Sequence, residues 1–63
     1  MTREELIEKL ISYQHANNLT QIELAEELGL PLGTVQNWCL GRRLPNFDNA
    51  TKIMKLLEEK QND

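Results

Sequence analysis

Side chains able to act as nucleophiles, bases or soft metal ligands are scarce in this chain, since Ser12, His15 and Cys39 are its only serine, histidine and cysteine. One histidine and one serine cannot supply a nucleophile, a base and a group to orient it, so no catalytic residue is assigned and no enzyme is expected. Tetrahedral zinc takes about four ligands and only His15 and Cys39 are on offer, so no metal and no cofactor are expected. Cys39 has nothing cationic placed to activate its thiol and reads as a small apolar residue. The cluster Glu23, Glu26, Glu27 reads as a solvated helix face rather than an acid-base or metal site. The chemistry that remains is electrostatic. Residues 1–28 carry Glu4, Glu5, Glu8, Glu23, Glu26 and Glu27 against Arg3 and Lys9, whereas Leu28 to Phe47 holds no acid and contains Arg42 and Arg43. In a chain of net charge −3, that stretch is where an anionic partner can approach without repulsion.

Sixty-three residues, 40% of them hydrophobic, make one small domain spanning 1–63. A chain this short buries only about 60% of the surface it exposes when unfolded, and one cysteine provides no staple, so compact helical packing is expected. No apolar run approaches the roughly 18 residues of a membrane span and the first ten residues are charged, so the expected setting is the cytoplasm, with no membrane partner.

Thr2-Arg3-Glu4-Glu5 and Thr20-Gln21-Ile22-Glu23 both carry the capping-box pattern of a threonine followed three residues later by glutamate. The first predicts a helix over about Arg3–Ala16, ended near Asn17-Asn18. The second predicts a short helix with Ile22, Leu24, Ala25 and Leu28 inward and Gly29 at its end. Pro31 or Leu32 opens a third helix that runs through Val35 and Trp38 to about Leu40 and is stopped by Gly41. Asn46 caps a fourth helix whose apolar face is Phe47, Ala50, Ile53, Met54 and Leu57, and the last three residues are expected to fray. No strand pattern or repeat appears. The fold class is therefore all-α, with four helices, or at most five, around one core.

Gln21 to Trp38 is the informative segment, because two short helices separated by a tight glycine-containing turn have the helix-turn-helix layout. Ala25 must be small where the helices cross, Gly29 must turn the chain, and Leu24, Leu28, Leu30, Val35 and Trp38 must fill the shared interior. Thr20-Gln21, Leu24-Ala25, Leu28-Gly29-Leu30, Thr34-Val35, Trp38, Gly41 and Pro45 resemble the pattern of the lambda-repressor-like, Cro-type (XRE-type) helix-turn-helix family over nearly the whole chain. The resemblance places the helix-turn-helix at 21–40 and implies a small phage- or plasmid-type transcriptional regulator whose third helix lies in the major groove of double-stranded DNA. It puts Leu32, Gly33, Gln36 and Asn37 at the base-reading positions. Gln36 and Asn37 can pair bidentately with adenine, Leu32 can cover a thymine methyl, and Gly33 lets the backbone approach, so an A·T-leaning half-site is expected. Gln21, Thr34, Arg42 and Arg43 are implied phosphate contacts.

Two positions depart from the family pattern. Pro31 supplies no capping oxygen where relatives often carry serine or threonine. Gln14 and Cys39 stand where relatives often hold a buried arginine and glutamate, and the paired replacement implies that the two lie close together. The reading surface is poor in basic residues, so a homodimer on a palindromic operator is expected, with Leu40, Leu44 and the C-terminal part of helix four as candidate contacts. No small-molecule substrate is expected. The alternative is a protein-interaction module, antirepressor- or antitoxin-like, on the same scaffold. A reading face free of Glu23, Glu26 and Glu27 favours DNA over that alternative.

Overall fold

Thr2 starts the first helix with a complete capping box: its hydroxyl accepts from Glu5 N–H at 3.1 Å, and the Glu5 carboxylate accepts from Thr2 N–H at 3.2 Å. These bonds, those to the Thr2 backbone first, hold the Glu5 carboxyl below its usual pKa. In this computed structural model, which describes residues 2–61, four helices follow in order: α1 (Arg3–Ala16), α2 (Gln21–Leu28), α3 (Leu32–Cys39) and α4 (Phe47–Gln61). No strand occurs among the described residues. The fraying expected at the C-terminus concerns Asn62 and Asp63, which lie outside them, while Gln61 closes α4.

One device ends each of the first three helices. Asn18, Gly29 and Gly41 adopt left-handed backbone angles, with φ of 53°, 71° and 75°. In each case the following residue donates its N–H to the carbonyl five positions back: Leu19 to Gln14 at 2.9 Å, Leu30 to Ala25 at 3.0 Å and Arg42 to Asn37 at 2.9 Å. This satisfies carbonyls that the helix end leaves without partners and turns the chain sharply back. After α1 and α2 the residue so delivered is a leucine that packs against the core; after α3 it is an exposed arginine.

The core is a single cluster made by Leu6, Ile7 and Leu10 of α1, Leu24, Ala25 and Leu28 of α2, Val35 and Trp38 of α3, and Ile53, Leu56 and Leu57 of α4. Three inward assignments made from the sequence do not hold. Ile22 is 56% exposed, Phe47 is 84% exposed and Met54 is 42% exposed, whereas Leu56 is buried. The seam of α4 runs along Ala50, Ile53, Leu56 and Leu57, at spacings of three and four. Phe47 and Met54 bracket that seam on the outer side of the helix.

Candidate nucleic-acid interface

Helical geometry fixes what α3 shows to solvent. Val35 and Trp38, three apart, are buried, so the opposite arc must carry Gly33, Gln36, Asn37 and, one turn later, Leu40. Gly33 and Gln36 are exposed, Asn37 and Thr34 are half-buried at the strip's inner edge, and Leu32 is half-buried at the helix start. Leu40 is 64% exposed and continues the strip beyond the last helical residue. An alanine Cβ at Gly33 would meet no atom within 4 Å, so the surface over this residue is open.

The helix begins at Pro31, whose backbone is extended (φ −62°, ψ 144°) and which gives no side-chain cap. Its first amides therefore keep their donor capacity, and no acid stands in its first turn. The start of α2 differs. There the Thr20 hydroxyl accepts from Glu23 N–H at 3.1 Å and the Glu23 carboxylate accepts from Thr20 N–H at 2.9 Å, so negative charge already occupies that end.

At the far end of α3 the Asn37 carbonyl accepts from Arg42 N–H at 2.9 Å and from Arg43 N–H at 3.4 Å, folding the arginine loop back onto the helix. Pro45 closes that loop as a fully buried residue, and the Arg3 guanidinium donates to its carbonyl at 3.5 Å. Both Arg42 and Arg43 remain exposed. Beside them, a cleft of about 320 Å³ between α3 and α4 is lined by Thr34, Asn37, Arg43, Asn46 and Asn49, with no carboxylate among its lining residues. Asn46 caps α4 as expected, its side-chain oxygen accepting from Asn49 N–H at 2.8 Å.

Of the three glutamates of α2, Glu27 points elsewhere. Gln21, Ala25 and Leu28 share one arc of the helix, with Ala25 and Leu28 buried, while Glu23, Glu26 and Glu27 occupy the opposite arc. The Glu27 carboxylate accepts the Tyr13 hydroxyl of α1 at 2.6 Å and flanks the groove between α2 and α4 rather than the α3 cleft. Gln21 is half-buried beside the Cys39 thiol; burial pushes that thiol above its usual pKa, against the lowering influence of Gln21. Gln14, buried in α1, donates instead to the Leu19 carbonyl at 3.1 Å. Gln14, at one of the family's ion-pair positions, thus takes a backbone partner.

Two contributors escaped the sequence reading. Arg3 reaches a carbonyl 42 positions away, and no local pattern signals such a contact. Asn49 is an ordinary polar residue of a helical run until folding sets it beside Asn37 and Arg43. Among the described residues no group of acids, histidines and cysteines is placed to hold a metal, and no helix is long and apolar enough to cross a membrane.

A family model described as helix-turn-helix matches residues 13–60. Over 51 residues, 81% of its length, the chain is 35% identical to the cryptic phage CTXphi transcriptional repressor RstR of Vibrio cholerae serotype O1 (strain ATCC 39315 / El Tor Inaba N16961). It spans 46% of that relative's length. No solved structure matches the chain.

Proposed function

The chain belongs to the helix-turn-helix family, and on that premise we propose that it is a sequence-specific double-stranded DNA-binding regulator of transcription rather than an enzyme. The observation that carries this reading is the strip of α3 that bears Gly33, Gln36 and Asn37, bordered by Arg42 and Arg43, with no acid in α3 or among the residues lining the cleft beside it. Similarity to a phage transcriptional repressor supports it.

In this account α3 enters the major groove. Gln36 and Asn37 donate to and accept from adenine edges, Leu32 covers a thymine methyl, and Gly33 keeps the backbone close. Gln21, Thr34, Arg42 and Arg43 hold phosphates on either side and set the register without reading sequence. The open first turn of α3 adds partial positive charge toward the duplex. With a net charge of −3 on the chain, steering depends on this one face, and two copies on a palindromic operator supply the affinity that one copy lacks.

Selection of bound duplexes from a random pool at low salt tests the proposal. Enrichment of an A·T-leaning inverted repeat, with half-sites about one helical turn apart, is the expected result. A folded chain that enriches nothing at about 10–100 µM protein, well within reach of ordinary non-specific affinity, contradicts it and favours a protein partner.

A further inference from the structure

The loop that carries Arg42 and Arg43 is held at both ends, and one of the two holds comes from the first turn of α1. At the near end the Asn37 carbonyl takes both arginine amides, at 2.9 and 3.4 Å. At the far end stands Pro45, fully buried, whose carbonyl is its only backbone hydrogen-bonding group. That carbonyl accepts from the Arg3 guanidinium at 3.5 Å, across 42 positions of sequence. The proline ring locks φ, so ψ is the soft angle that sets how the loop passes into α4, and a partner on the carbonyl fixes it. Between the two holds lies Leu44, which is exposed and gives the loop little grip on the core.

The root of Arg3 is rigid. Arg3 is the first residue of α1, where the capping box between Thr2 and Glu5 sets the backbone, and Leu6 and Ile7 just beyond it are buried in one cluster with Ile53 and Leu57 of α4. A guanidinium on that root is a planar donor held in place against the loop. At 3.5 Å and on an exposed residue the bond is weak, so its consequence is local order rather than global stability. We propose that Arg3 is a positioning residue: by holding the Pro45 carbonyl it keeps the loop of Arg42 and Arg43 in one arrangement before an anion arrives, so the two side chains meet phosphates without first having to be ordered. Arg3 itself touches no phosphate in this account. That the anion is DNA rests on the DNA-binding reading; the hold on the loop does not.

Backbone amide order parameters of Arg42, Arg43 and Leu44, from NMR relaxation of the full chain without DNA, test the hold. They are expected at about 0.85 in the wild type and to fall toward about 0.6 in Arg3→Met, which keeps an unbranched stem and has no donor. Arg3→Lys, which keeps a donor, is expected to restore them. Circular dichroism melts confirm that each variant is folded. Anisotropy on a selected duplex across a salt series then tests the consequence. Arg3→Met is expected to weaken binding by about two- to tenfold, the range that ordering one long side chain on binding costs, with the salt slope unchanged. In a chain already carrying Arg42→Ala and Arg43→Ala the same change is expected to cost nothing further, because the groups it positions are gone. Unchanged order parameters in Arg3→Met, or no recovery in Arg3→Lys, overturn the proposal. So does a salt slope reduced by about 1, which would make Arg3 a phosphate contact itself, and so does a loss that persists undiminished without the two arginine side chains. A wild-type chain that binds no duplex while Arg3→Met loosens its loop defeats the DNA reading and leaves the hold standing.

Discussion

The Tyr13 hydroxyl donates a 2.6 Å hydrogen bond to the Glu27 carboxylate, tying the last turn of α1 to the last turn of α2 and holding one acid of α2 toward α1. Burial, and then the bond to Glu27, pushes the Tyr13 pKa up to about 12 from its ordinary 10.0. The neutral phenol is thus favoured by folding. Its contribution is complete below about pH 10 and is lost as pH rises from there toward 12. Tyr13→Phe is expected to cost about 0.5–1 kcal/mol near neutral pH, a value reduced by solvent screening of a surface pair. In the variant the loss of stability above pH 10 should be shallower. Urea melts across pH 7 to about 11.5 check this, and parallel profiles for the two proteins would refute the coupling.

Gly33 and Gly29 should respond in opposite ways to alanine. At Gly33 the backbone is helical and the added methyl meets nothing, so Gly33→Ala is expected to stabilise the fold by about 0.5–1 kcal/mol through helix propensity. The same methyl would stand between α3 and the duplex, so DNA affinity is expected to fall by about tenfold. At Gly29 there is also space, but φ is 71°, and Gly29→Ala is expected to cost about 1 kcal/mol in backbone strain. Thermal melts with anisotropy on a selected duplex check both. A Gly33→Ala chain that is more stable and binds DNA unchanged would remove this residue from the interface.

Arg42 and Arg43 are held by the Asn37 carbonyl through their backbone amides, so their side chains can be removed without dismantling the loop. Arg42→Ala or Arg43→Ala is expected to weaken binding to cognate and non-cognate duplexes alike and to reduce the salt slope by about 1 per residue. Stability should stay within about 0.5 kcal/mol of the wild type, as for other exposed positions. A salt series measured on two unrelated duplexes checks this; loss confined to one base position would contradict phosphate positioning.

The helix bounds were legible because capping and stopping chemistry is local. Thr2 and Thr20 each carry their glutamate three residues on, and Asn18, Gly29 and Gly41 sit where left-handed turns are required. The core stripe of α2 and α3 was legible for the same reason. Phe47, Met54 and Ile22 were misassigned because hydrophobicity marks residues that want burial without saying which neighbour covers them. Phe47 opens α4 and is left largely exposed by the described residues. The partner of Gln14 was not legible either, since a buried amide bonds whatever tertiary packing sets beside it. Of the candidate interface, residue types along α3 were visible in the sequence. The relation of Asn37 to the arginine loop, and the diversion of Glu27 by Tyr13, required the fold.

The central claim is that the exposed strip of α3 reads bases. Its most direct test is to repeat duplex selection with Gln36→Ala and with Asn37→Ala beside the wild-type chain. Each variant is expected to lose preference at one or two defined positions of the half-site, worth about 1–3 kcal/mol there, while the rest of the consensus and the salt dependence persist. An unchanged consensus for both variants, or a uniform loss across all positions, would contradict it.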